Sequence, residues 1–134
     1  MVYVTSGTLS VQERRSARLR LTEEFIRLLE MKPEDNARWN GTTTDLVEVA
    51  HIAYESGRLY KENGTPLTFT ELVTSACRIL HLKTPSNPRR TAYQARNRKG
   101  TRQKTFLERY CMLLYEGHVE MPLQKNIMFN RRPI

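Results

Sequence analysis

Residues 68–104 read TFTELVTSACRILHLKTPSNPRRTAYQARNRKGTRQK, and the fold turns on how this stretch divides. Thr68 and Glu71 stand three apart, the spacing of a capping box, in which each side chain accepts an N–H at the helix start. Phe69, Leu72, Val73, Ala76, Cys77, Ile79 and Leu80 then recur at helical spacing, so this helix buries one continuous face. Residues 84–88, TPSNP, end it and begin the next: Asn87 is a good N-cap and Pro88 suits the first helical position. The helix that follows, about residues 88–98, has only Ala92, Tyr93 and Ala95 as apolar residues, and Gly100 breaks it. A well-anchored helix, a turn and an exposed polar helix form the layout of a helix-turn-helix unit.

Charge singles out the same stretch. From Leu72 to Leu107 there are nine Lys or Arg residues and no Asp or Glu, so all 14 acidic residues lie elsewhere. A one-signed stretch repels itself and calls for a polyanionic partner or full solvation. The whole chain of 134 residues carries a formal charge of +8, with a pI near 9.9. That is the range of nucleic-acid binders. The competing reading is a solvated surface helix, which charge runs usually are. A helix kept only for solubility would mix both signs.

Outward from this unit the chain reads as one small helical domain. A first helix spans about Leu9–Lys32, with Leu21, Phe25, Leu28 and Leu29 on one face and Pro33 as its stop. A second runs from about Asp45 to Ser56 behind the threonines at 42–44, with Leu46, Val49, Ala50, Ala53 and Tyr54 as its buried stripe. Arg58 to Leu67 carries the turn signal Asn63-Gly64 and reads as a short β-hairpin or a reverse turn. A fifth helix covers about Gln103–Glu116 with Phe106, Leu107, Tyr110, Leu113 and Leu114 inward; the tail from His118 has no clean period. The fold class expected is therefore all-α, a small helical bundle with a helix-turn-helix or winged-helix-like unit. Its parts are an N-terminal helical segment 1–37, the unit itself at 38–117, and a C-terminal tail 118–134.

Candidate functional residues follow from side-chain chemistry. Arginine bonds bidentately to guanine, and Asn or Gln to adenine. Arg90, Gln94, Arg96 and Asn97 are therefore candidates for base edges, while Arg78, Arg89, Arg98, Lys99, Arg102 and Lys104 suit phosphates. Arg14, Arg15, Arg18 and Arg20 form a second basic cluster, either a further phosphate grip or a solvated face paired with Glu13, Glu23 and Glu24. Trp39 reads as a core plug over a helix start, and His51, His81 and His118 as structural. Cys77 and Cys111 fall on apolar faces and read as reduced core residues, with no metal-ligand spacing near them. No nucleophile–base pair, phosphate-cradling glycine loop or paired carboxylates stand out, so an enzyme is not expected, nor a cofactor or small-molecule substrate. No run is long and apolar enough to span a membrane, and no signal peptide is visible, so a cytoplasmic location is expected.

Residues 39–48, WNGTTTDLVE, and 96–107, RNRKGTRQKTFL, taken with the Asn-Gly turn and apolar helix between them, resemble the C-terminal domain of the RteC family. These are regulators of conjugative transposons in Bacteroides and relatives, and the likeness covers about residues 38–115. It implies an all-helical helix-turn-helix or winged-helix protein that regulates transcription of element genes. The expected partner is double-stranded DNA, bound by the helix at 88–99 in the major groove, with a homodimer if the operator is palindromic. The alternatives are an RNA- or single-strand-binding module, or a protein-interaction adaptor using the same basic face.

Overall fold

A computed structural model describes residues 10–97 and 104–129. Its first helix, α1, spans Val11–Leu29 and starts at a capping box: Glu13 N donates to Ser10 Oγ at 3.0 Å and Ser10 N to Glu13 Oε1 at 3.1 Å. Ala17, Leu21, Phe25 and Leu28 are buried along one face of α1. A 3-10 turn at Pro33–Asp35 and Asn36, at φ 59°, lead into β1, Ala37–Trp39.

Helix α2, Thr43–Glu55, is the centre of the molecule. Thr42 caps it by accepting from Asp45 N at 3.0 Å. Leu46, Val47, Val49, Ala50, Ile52 and Ala53 are all buried, because α1, α3, α4 and α5 pack around it. A helix surrounded in this way buries a face broader than one stripe, with Asp45 and Glu48 buried beside its apolar residues. That explains Val47, which the stripe omitted. Tyr54, assigned to the stripe, is instead partly exposed, with its ring 5.8 Å from that of Phe69.

The segment 58–67 turns back on itself at Asn63-Gly64, with Gly64 at φ +87°. Its pairing is a single antiparallel bridge, Tyr60 to Pro66, flanked by Lys61 N to Thr65 O at 2.7 Å and Leu67 N to Leu59 O at 3.0 Å. Helix α3, Phe69–Ile79, opens with the expected capping box, Glu71 N to Thr68 Oγ1 at 3.1 Å and Thr68 N to Glu71 Oε1 at 3.0 Å. Its predicted apolar face is buried in full, from Phe69 to Ile79 and on to Leu80.

Residues 80–87 connect α3 to α4, a longer link than the turn of about three or four residues in the tightest helix-turn-helix units. His81, at φ 59°, places Nε2 2.8 Å from Pro33 O and so ties this link to the segment after α1. Helix α4, Pro88–Arg96, is capped by Asn87, whose Oδ1 accepts from Arg90 N at 3.1 Å. Helix α5, Phe106–Cys111, continues into a π-helical turn at Met112–Glu116, where one continuous α-helix was expected. Gly117 N reaches Met112 O at 3.0 Å there, and the Tyr115 hydroxyl donates to Glu13 O at 2.8 Å, fixing this turn to α1. Leu114 is only partly buried against the core as a result.

The described part of the tail, to Phe129, is held by pairing. After a 3-10 turn at Pro122–Asn126, β2, Ile127–Phe129, runs antiparallel to β1 with Ala37 opposite Phe129 and Trp39 opposite Ile127. Asn40 N donates to Asn126 O at 2.7 Å, and Asn126 Nδ2 to Asn40 O at 2.6 Å. Trp39 closes over the start of α2 as expected, its Nε1 donating to Thr42 O at 2.8 Å. Gly41 is required there: a Cβ would stand 2.9 Å from Trp39 Nε1. No helix among the described residues is long and apolar enough to cross a membrane.

Candidate nucleic-acid interface

Helix α4 is held by its small residues. Pro88, Ala92 and Ala95, at i, i+4 and i+7, are buried against α2 and α3. Alanines permit close approach of the helices and leave every longer side chain of α4 outside. Arg90, Tyr93, Gln94 and Asn97 then follow at i, i+3, i+4 and i+7, a single exposed stripe opposite the buried one. Three of the four base-edge candidates therefore share one face. Tyr93 completes it at 68% exposure, although by its residue type it reads as anchoring surface.

Arg96, the fourth candidate, lies on the flank and turns back toward α2. Its Nη2 is 3.1 Å from His51 Nδ1 and 3.2 Å from His51 Nε2, and 4.0 Å from Glu55 Oε2. His51 Nδ1 is itself 3.3 Å from Glu55 Oε1. Arg96 Nη2 is nearly equidistant from the two ring nitrogens, so it lies over the face of the imidazole rather than in line with either nitrogen. Burial holds the His51 pKa below its ordinary value; Glu55 pulls upward, and Arg96, Arg89 and Arg18 push further down.

The phosphate candidates divide as follows. Arg89 is exposed on the same flank of α4 as Arg96, its guanidinium 5.8 Å above the Phe69 ring. Arg78 is exposed near the end of α3. Lys104 sits just before α5, with Nζ 3.5 Å from Met112 Sδ. Arg98, Lys99 and Arg102 lie outside the described residues.

Among the described residues no ion pair joins the α1 arginines to Glu13, Glu23 or Glu24, although Arg20 favours the charged form of Glu24. Glu13 is occupied in the Ser10 cap. Glu24, four residues from Arg20, points inward instead: it accepts from Tyr110 Oη at 2.6 Å and from the amides of Leu123 and Gln124 at 3.3 Å. Arg20 donates to the Glu120 carbonyl at 2.9 Å. Arg18 reaches across to Glu55 on α2 at 3.9 Å, while Arg14 and Arg15 make no ion pair among the described residues. Arg14, Arg18 and Arg96 line one cleft, which brings the basic half of α1 beside α4.

Three acidic side chains serve the scaffold. Burial raises the Glu24 pKa, and hydrogen bonds from Tyr110 and two amides partly offset it. Glu48 accepts from Phe106 N at 3.0 Å and Leu107 N at 2.9 Å, capping α5 from a different helix. Asp45 pairs with Arg109 at 2.6 Å. Both cysteines are buried, and burial raises their thiol pKa values, which disfavours the reactive thiolate. No group of His, Cys, Asp or Glu among the described residues is arranged to hold a metal ion.

No protein-family model, curated protein or solved structure matches the chain.

Proposed function

We propose that this protein is a sequence-specific DNA-binding regulator that presents α4 to the major groove of double-stranded DNA. The observation that carries the reading is the stripe Arg90–Tyr93–Gln94–Asn97, set on a helix whose opposite face is only Pro88, Ala92 and Ala95. Those polar side chains match base edges, and no acidic residue occurs between Leu72 and Leu107 to oppose an approaching phosphate. Arg89, on the flank of α4, and Arg78, near the end of α3, are exposed and suit phosphates. Arg96 acts on the backbone side rather than at base edges, since His51 and Glu55 hold it at the flank. In the same reading, residues 39–48 and 96–107 are the RteC-like segments of a regulator belonging to a mobile element.

Substitution of Arg90, Gln94 or Asn97 by alanine tests this. Each change is expected to relax discrimination at one operator position by about 1–3 kcal/mol, and Lys104→Ala to weaken binding to all duplexes alike. Uniform weakening by both kinds of variant would refute the division of roles.

One observation favours a second reading, single-stranded nucleic acid. Tyr93 offers an exposed ring beside Arg89 and Arg90, a suitable platform for base stacking. A Tyr93→Ala variant that loses single-strand binding but keeps duplex affinity would select that reading.

A further inference from the structure

The first half of α1, α2, α4 and the start of α5 border a cleft of about 270 Å3 whose lining includes Arg14, Arg18, His51, Glu55, Ala92 and Arg96. Glu55 is its hub. One carboxylate oxygen lies 3.9 Å from Arg18 Nη1 and 3.3 Å from His51 Nδ1, and the other 4.0 Å from Arg96 Nη2. Both arginine distances exceed hydrogen-bond length, so two guanidiniums from different helices converge on one carboxylate without being saturated by it.

The other two carboxylates bordering the cleft are committed elsewhere. Both oxygens of Glu48 accept α5 amides, and Glu108 accepts from the Thr105 hydroxyl at 3.1 Å. Arg14 adds a cation with no ion pair among the described residues, and Arg89 borders the adjoining hollow with His51 and Arg96. Glu55 is half exposed. Arg14, Arg18 and Arg96 thus line one concave surface from two helices, with Glu48 and Glu108 at its border.

We propose that this cleft is a phosphate site, formed by Arg14, Arg18 and Arg96, in which Glu55 holds the place of one phosphate group of the nucleic-acid backbone. The inference rests on the reading of α4 as the DNA-facing helix and extends it: α1 becomes a second backbone grip, and Glu55 an internal competitor that restrains non-specific affinity.

The test is a titration of the full chain with inorganic phosphate at constant ionic strength, read at the His51 ring resonances. A saturating shift is expected in the wild type. Glu55→Gln should tighten it by roughly two- to fivefold, and Arg18→Ala should abolish it, with circular dichroism showing that both variants fold. Absence of a saturating His51 response in both wild type and Glu55→Gln overturns the proposal, whatever the duplex does.

A duplex-binding series separates the two sources of phosphate. Arg18→Ala should lower duplex affinity and reduce the salt slope by about one, and Glu55→Gln should raise affinity unless Arg18 is also removed. Phosphate saturation with duplex affinity unchanged in these variants would assign the site to free phosphate and overturn the backbone assignment. Unchanged duplex binding in Arg90→Ala and Asn97→Ala would instead sink the α4 reading and leave the phosphate site standing.

Discussion

Removing the Glu48 carboxylate should destabilise the protein by far more than a surface acid would. Glu48 is 8% exposed, and its two oxygens accept the first two helical amides of α5, Phe106 N at 3.0 Å and Leu107 N at 2.9 Å. Thr105 Oγ1 takes the third, Glu108 N, at 3.2 Å, so the N-terminus of α5 is satisfied by two residues from different parts of the chain. Glu48→Gln keeps the shape but offers one acceptor oxygen, leaving an amide N–H facing an NH2. One buried donor without a partner costs about 1–3 kcal/mol. Glu48→Ala leaves both amides without this acceptor and opens a void, so a loss of roughly 2–5 kcal/mol is expected. Urea unfolding followed by circular dichroism reads this directly, with Thr105→Ala as the second arm of a double-mutant cycle. Because the two residues cap the same helix end, their effects should not add. A Glu48→Ala variant within about 0.5 kcal/mol of wild type would refute the assignment of Glu48 as the remote cap of α5.

The His51 ring should titrate below its ordinary 6.5 by NMR, and Glu55→Gln should lower it further by removing the one neighbour that favours the charged form. Since the folded pKa lies under the unfolded one, the His51 contribution to stability is present above about pH 6.5 and is lost as pH falls through the folded value. Glu24 has the opposite sign: burial raises its folded pKa, so its contribution is present below 4.5 and lost as pH rises through the raised value. A His51 pKa at or above 6.5 would contradict the burial of the ring among arginines. Tyr110→Phe removes the 2.6 Å hydrogen bond to Glu24 in the core and should cost about 1.5–3 kcal/mol by thermal or urea unfolding; a neutral effect would show that Glu24 is satisfied without it. Ala95→Leu should cost about 1–3 kcal/mol and disturb α4 in backbone NMR shifts, since Ala95 is fully buried; tolerance of leucine would mean that α4 packs more loosely than described.

Much of this architecture is legible in the sequence because local rules act where they can be read. The Thr68–Glu71 box and the apolar spacing behind it place α3, and Asn87-Pro88 places the start of α4. The Ser10–Glu13 box has the same spacing and sets the start of α1. What is hidden depends on distant partners. The strands 37–39 and 127–129 are too short to show a period, and their pairing joins segments far apart in the chain. Glu24 and Glu48 follow the rule that charges face water until a tyrosine hydroxyl and the amides of other segments draw them inward. The candidate site divides in the same way. Arg90, Gln94 and Asn97 form their stripe by helical geometry alone. Arg96 is drawn aside by His51, 45 residues earlier. Tyr93 reads as anchoring surface by residue type but sits on the exposed stripe, because two alanines suffice to anchor α4.

The most direct measurement is footprinting of the full-length protein on duplex fragments from its own locus, beside random duplex, across a salt series. The account predicts a discrete protected site that persists at physiological salt and is lost in Arg90→Ala and Asn97→Ala. Binding that decays alike for both duplexes as salt rises, indifferent to those two residues, would contradict it and leave only the attraction of a basic surface for a polyanion.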